Sequence, residues 1–167
     1  YSRLNGYDEG QGPGNFGEGF VTTLDVYFDL TDPTIANDTY GWEVTSAASR
    51  QAPNPLNPGD PYHLRDFVFN VAGYAADVSN PDRILVAATN NAYNQRRNDL
   101  ATLNHYEVTT SGWYTLEWDF RVANDGVSLA VDCNLRDASG TLLWTETRNN
   151  PADLIATIVG GNRYMWF

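Results

Sequence analysis

From Ser111 to Glu146 the chain reads SGWYTLEWDFRVANDGVSLAVDCNLRDASGTLLWTE, and apolar and polar side chains alternate in three bursts separated by two turn-forming stretches. In the first burst Tyr114, Leu116, Trp118 and Phe120 share one side, with Thr115, Glu117, Asp119 and Arg121 on the other. The second repeats the split, with Leu129, Val131, Cys133 and Leu135 against Asp132, Asn134 and Arg136. A period of two is the signature of a strand with one buried and one wet face. FVTTLDVYFD obeys it too, setting Phe20, Leu24, Val26 and Phe28 against Val21, Thr23, Asp25, Tyr27 and Asp29. TYGWEVTS, LRDFVFNVAGY, DRILVAAT, HYEVTT and NRYMWF complete a set of about nine predicted strands.

The rest is punctuation. LTDPTIAND is a loop, and AASRQAPNPLNPGDPYH, with its prolines and Asn/Asp residues, predicts a long surface loop. NNAYNQRRNDLATLN is polar with room for one helical turn, and NNPADLIATIVGG predicts a short helix or an irregular crossover. No segment has the spacing of an amphipathic helix. Many short strands with regular turn signals predict an all-β fold, an antiparallel jelly-roll β-sandwich with little helix. It forms a single domain over residues 20–167, preceded by a flexible Gly-rich arm over 1–19.

Placed side by side, the strands would make one polar face carrying Asp25, Tyr27, Asp66, Asn70, Glu117, Asp119, Arg121, Asp132, Asn134 and Arg136. Antiparallel sheets often show such a wet face without any function. The mixture nevertheless suits a glycan: carboxylates and amides bond vicinal hydroxyls, and aromatic rings cover C–H surfaces.

The strand pair WYTLEWDF…DGVSLAVD resembles that of concanavalin A-like lectin/glucanase (laminin-G-like) jelly rolls, and GGNRYMWF is similar to a late strand of such folds. The resemblance covers only these strands. It implies a fold shared by lectins, laminin-G-like modules, family 16-type glucanases and some polysaccharide lyases. It does not imply one activity. The glucanases of this group carry E-x-D-x-x-E on one strand, which brings two carboxylates to the separation that retaining hydrolysis needs. That motif is absent; Glu117 and Asp119 share a face about 7 Å apart along the strand and are the catalytic pair if the chain is an enzyme, with Arg121 following as a salt-bridge partner. A lyase would draw on Tyr62, His63 and Arg65, or on His105 and Tyr106.

TNNAYNQRRND crowds amides, one aromatic and two guanidiniums into one loop, so Asn90, Asn91, Tyr93, Arg96 and Arg97 are the leading ligand-binding residues, joined by Tyr62, His63 and Trp42. Asp29, Asp32 and Asp38 supply oxygen ligands in one loop and suit calcium, which the resemblance also implies; Asp8, Glu9 and Glu18 are a second acidic group. The spacing is not that of an EF-hand, and no His/Cys cluster suits zinc. Asn37 opens an N-D-T sequon.

Charge narrows the partners. The net charge is −11 over 167 residues, and all ten basic residues are arginine. Such a balance disfavours nucleic acid and anionic membranes, and no run is long enough to span a bilayer. The single Cys133 falls on the apolar side and reads as a buried, inert thiol.

The chain starts at Tyr1 without a leader and stops on an aromatic strand, so the expectation is a processed or partial chain whose terminal strands support self-association. The function expected is a secreted or cell-surface, non-catalytic carbohydrate-binding or adhesion module. The alternatives are a polysaccharide-active hydrolase or lyase, and a self-assembling extracellular subunit.

Overall fold

A computed structural model describes residues 3–4, 16, 19–50, 62–77, 79, 81–90 and 97–166. Two antiparallel sheets face each other. One has six strands in the order β1 (Arg3–Leu4), β10 (Ile158–Trp166), β3 (Gly41–Arg50), β4 (Tyr62–Tyr74), β5 (Arg83–Asn90) and β6 (His105–Val108). The other has four, in the order β2 (Phe20–Phe28), β7 (Gly112–Val122), β8 (Ser128–Asp137) and β9 (Leu142–Leu154). The pairs β2–β7 and β10–β3 join strands far apart in the chain, the wrapping expected of a jelly roll. This is the all-β sandwich that the alternation predicts.

The inward residues of the two sheets make one core. Trp118, Phe120, Leu116, Phe67, Phe69, Leu129, Val131 and Leu135 are buried completely or nearly so. Phe69 meets Trp118 edge-on with ring centroids 4.8 Å apart, and Phe67 meets Phe120 the same way at 5.4 Å. Each such side chain contributes about 1.5–3 kcal/mol by leaving water, and edge-to-face contacts add to that. The indole of Trp118 also donates to the Phe67 carbonyl at 3.0 Å, satisfying its one polar atom across the sheets. Cys133 is fully buried and its thiol pKa is pushed up by burial, as expected of an inert core thiol.

Local chemistry fixes the joints. Asp32 caps the four-residue helix α1 (Pro33–Ala36) by accepting from the Thr34 amide at 2.9 Å, with Pro33 in the first turn. Ile35 of α1 is buried over β4, where only Gly73 leaves room: a Cβ there would lie 2.8 Å from Ile35 Cγ1. Gly19 has φ +109°, and a Cβ there would fall 2.0 Å from the Phe120 carbonyl oxygen, so β2 can begin beside β7 only with glycine.

Several expectations shift. AASR belongs to β3, not to the following loop. NNPADL continues β9 as strand, and only Ile155–Thr157 coil into a 3₁₀ turn. Pro151 is tolerated there because β9 is an edge strand and no outer neighbour needs its amide. Within the arm expected over 1–19, Arg3–Leu4 pairs with Trp166 and Met165, and Phe16 is buried in the core. β4 lies in the six-stranded sheet, so Asp66 and Asn70 do not share a face with Glu117 and Asp132.

Candidate functional site

The two sheets differ in how much sheet they leave open. On the outer face of the six-stranded sheet, Thr45, Ala47, Val68, Asn70, Ala72, Leu85 and Ala87 are themselves buried, and Leu100 of the 3₁₀ turn at Leu100–Thr102 packs onto Ala72, Leu85 and Ala87. This explains why DRILVAAT is apolar on both sides. The outer face of β2, β7, β8 and β9 carries the polar half of the alternation.

Cross-strand register orders that face into rows. Tyr27 pairs with Trp113; Asp25 with Thr115, and Thr115 with Arg136; Thr23 with Glu117, Glu117 with Asn134, and Asn134 with Thr145. Then Val21 pairs with Asp119, Asp119 with Asp132, and Asp132 with Thr147. Most charges are consumed internally. Arg136 grips Glu117 through Nε (3.1 Å) and Nη2 (2.8 Å), Asn134 donates to the same carboxylate at 2.9 Å, and Arg136 Nη1 donates to the Gly140 carbonyl at 3.2 Å. These bonds, first that from Arg136, hold the Glu117 carboxyl below the usual range.

Arg121 makes a second fork onto Asp132, at 2.6 and 3.0 Å, and the Thr147 hydroxyl donates to Asp132 as well. Burial alone would raise Asp132, but these donors outweigh it and its pKa is lowered. Asp119 is left over. It faces Asp132 directly, accepts no hydrogen bond from any described residue, and is pushed up by burial and by the charges of Asp132 and Glu117.

At the other end of the face stand two aromatic side chains that no sheet covers. Trp113 is 58% exposed and Tyr27 52% exposed, and their rings meet edge to face at 5.5 Å. Beside them opens a cleft of about 660 Å³, lined by Asp25, Trp113, Tyr114, Thr115 and the β8–β9 hairpin at Asp137–Gly140. The hairpin is braced by Asp137, whose carboxylate accepts from the Ser139 and Thr141 amides and the Ser139 hydroxyl. The Thr115 hydroxyl donates to Asp25 at 2.6 Å and fixes that carboxylate at the rim. Trp113 shares parity with Thr115 and Glu117, and so stands on the polar side of β7.

Among the described residues singled out from sequence, Trp42, Asn90 and Arg97 each make contacts within the fold. Trp42 packs against Phe28 with ring centroids 6.1 Å apart and donates its indole N–H to Tyr40. Asn90 donates to the Asp66 carbonyl and accepts from Arg148, and Arg97 forms a two-bond pair with Asp99. Tyr62 and His63 open β4 opposite Arg50 and Ser49, and their side chains lie outside the described part, as do Asn91, Tyr93 and Arg96.

Of the histidine–tyrosine pair, the His105 ring hydrogen-bonds the Leu103 carbonyl at 2.8 Å, and Tyr106 packs on the core. Asp29 accepts from the Thr31 amide and hydroxyl, Asp32 caps α1, and Asp38 accepts from the Ala75 amide. One oxygen of each, Oδ1, serves a turn or the helix cap. Among the described residues no three His, Cys, Asp or Glu side chains converge on a metal position. Asp8, Glu9 and Glu18 lie outside the described residues. Among the described residues no helix is long and apolar enough to cross a membrane.

No family model, curated protein or solved structure matches this chain.

Proposed function

We propose that the chain is a non-catalytic carbohydrate-binding module of a secreted or cell-surface protein, and that it holds its glycan on the outer face of the four-stranded sheet. The observation that carries this reading is the solvent-exposed Tyr27–Trp113 pair beside the Asp25–Thr115 rim of the cleft. An apolar sugar face stacks on such rings, and a fixed carboxylate and hydroxyl take up its hydroxyl groups. An exposed aromatic pair gives little to the fold, so its place on a polar face suits contact with a ligand. Catalysis is disfavoured by Glu117, whose two oxygens are both taken by Arg136. The acidic surface suits a neutral or cationic partner rather than an anionic one.

The reading is tested by electrophoresis of the wild type and of Trp113→Ala and Tyr27→Ala through gels containing soluble polysaccharides, with pull-down on insoluble ones. Retardation of the wild type that both variants lose supports it. Equal mobility of all three on every polysaccharide overturns it. Release of reducing sugar would replace the binding module with an enzyme using Glu117 and Asp119.

A further inference from the structure

We propose that the glycan this face selects is an amino-sugar polymer, held through its protonated amines, an inference that rests on the glycan-binding reading above. Among the described residues the ionic groups lining the cleft are Asp25 and Asp137, and no cationic side chain lines it. The guanidinium nearest in register, Arg136, is turned onto the protein, with Nε and Nη2 on Glu117 and Nη1 on the Gly140 carbonyl. A ligand arriving at Trp113 therefore meets negative charge and an aromatic surface together. Asp25 accepts one bond from Thr115, and an ionised carboxylate has acceptor capacity for further donors.

An ammonium group is the ligand element that uses both features. It brings three donors to the carboxylate, and it is attracted to an indole ring. A uronate or sulfated polymer meets repulsion here, and an N-acetylated sugar offers one weak amide donor in place of the charge. The face also continues beyond the cleft. Six residues along β7 from Trp113, roughly 20 Å at strand rise, stands Asp119, which has no hydrogen-bond donor among the described residues. A chain laid along β7 with a positive charge on successive units meets one carboxylate at each end of the face.

The experiment is isothermal titration with glucosamine oligomers, their N-acetylated counterparts and neutral glucose oligomers of equal length, below and above the pH at which the amines lose their protons. The wild type, Asp25→Asn, Trp113→Ala and, as a control on the other sheet, Glu107→Gln are compared. The expected result is binding of the amino oligomer about tenfold tighter than of either neutral series. That preference is lost above the amine pKa, reduced in Asp25→Asn, abolished in Trp113→Ala and kept in Glu107→Gln.

Equal or tighter binding of the neutral oligomers, lost in Trp113→Ala, overturns the amine selectivity and leaves the glycan site standing. Amino-oligomer binding that Trp113→Ala does not change is ion pairing with an acidic protein, and overturns the site. Failure of all three series overturns the amine selectivity, and the polysaccharide gels above decide the glycan site separately.

Discussion

Arg65 on β4 and Asp153 on β9 clasp the two sheets together: Nε donates to one carboxylate oxygen at 2.6 Å and Nη2 to the other at 3.0 Å. The two residues are 88 positions apart in sequence. The Asp153 side chain is 4% exposed and that of Arg65 25%. A fork of this kind fixes both partners in one geometry, and donating to the Asp153 carboxylate raises the pKa of Arg65. Removing one partner leaves the other without its counter-charge in a largely buried seam. Asp153→Ala is expected to destabilise the domain by about 3 kcal/mol, the lower end of the range for a broken buried pair because Arg65 keeps some water. Urea unfolding followed by tryptophan fluorescence measures it. The double replacement Arg65→Met, Asp153→Leu is expected to recover most of the loss.

The outer face carries a pH signature with two opposite signs. Glu117 has a lowered folded pKa, so the stability it contributes is present above its unfolded pKa and is lost as pH falls through the folded value. Glu117→Gln should cost about 1 kcal/mol at neutral pH, and the difference from wild type should vanish in acid. Asp119 has a raised folded pKa, so its charged form costs stability above that value and the cost disappears as pH falls below the unfolded one. Asp119→Asn should therefore stabilise at neutral pH, by under about 1 kcal/mol, and match the wild type in acid. Thermal melts of the three proteins across the acidic range check both signs at once.

These relationships show what the sequence could and could not disclose. Period two told which side chains of one strand look the same way: Glu117, Asp119 and Arg121 do share a face, and so do Asp25 and Tyr27. It said nothing about which strands lie side by side, because that is decided by long-range packing. Asp66 was thus grouped with the wrong sheet, and the Arg65–Asp153 clasp was invisible. Trp113 was within reach: an indole at a position whose parity is otherwise Thr115, Glu117 and Asp119 breaks the pattern. Trp42 misled because a lone aromatic in a strand says nothing of its depth until its neighbour Phe28 is known.

The exposed aromatics are expected to matter for binding and not for folding. Trp113 and Tyr27 touch each other, and over half of each stays in water. Trp113→Ala is expected to change unfolding free energy by within about 1 kcal/mol, the scale of one aromatic pair, while removing retardation in polysaccharide gels. Circular dichroism alongside the gels separates the two effects.

The buried face of the six-stranded sheet offers a different test. Thr45 is fully buried on β3, and its Oγ1 has no hydrogen-bond partner among the described residues. A buried hydroxyl without a partner carries a desolvation cost of about 1–3 kcal/mol. Valine has nearly the same shape and suits a strand, so Thr45→Val removes that cost without opening a cavity. The expected outcome is a gain of up to about 1 kcal/mol, seen as a higher urea midpoint at unchanged m-value. A loss of stability would mean that the hydroxyl has a donor or acceptor in the folded protein. Asn70 on the same face distinguishes the mechanism. Its Nδ2 donates to the Thr89 hydroxyl at 2.7 Å while its Oδ1 goes without a partner among the described residues. Asn70→Leu breaks a made bond and changes shape, so it should destabilise where Thr45→Val does not.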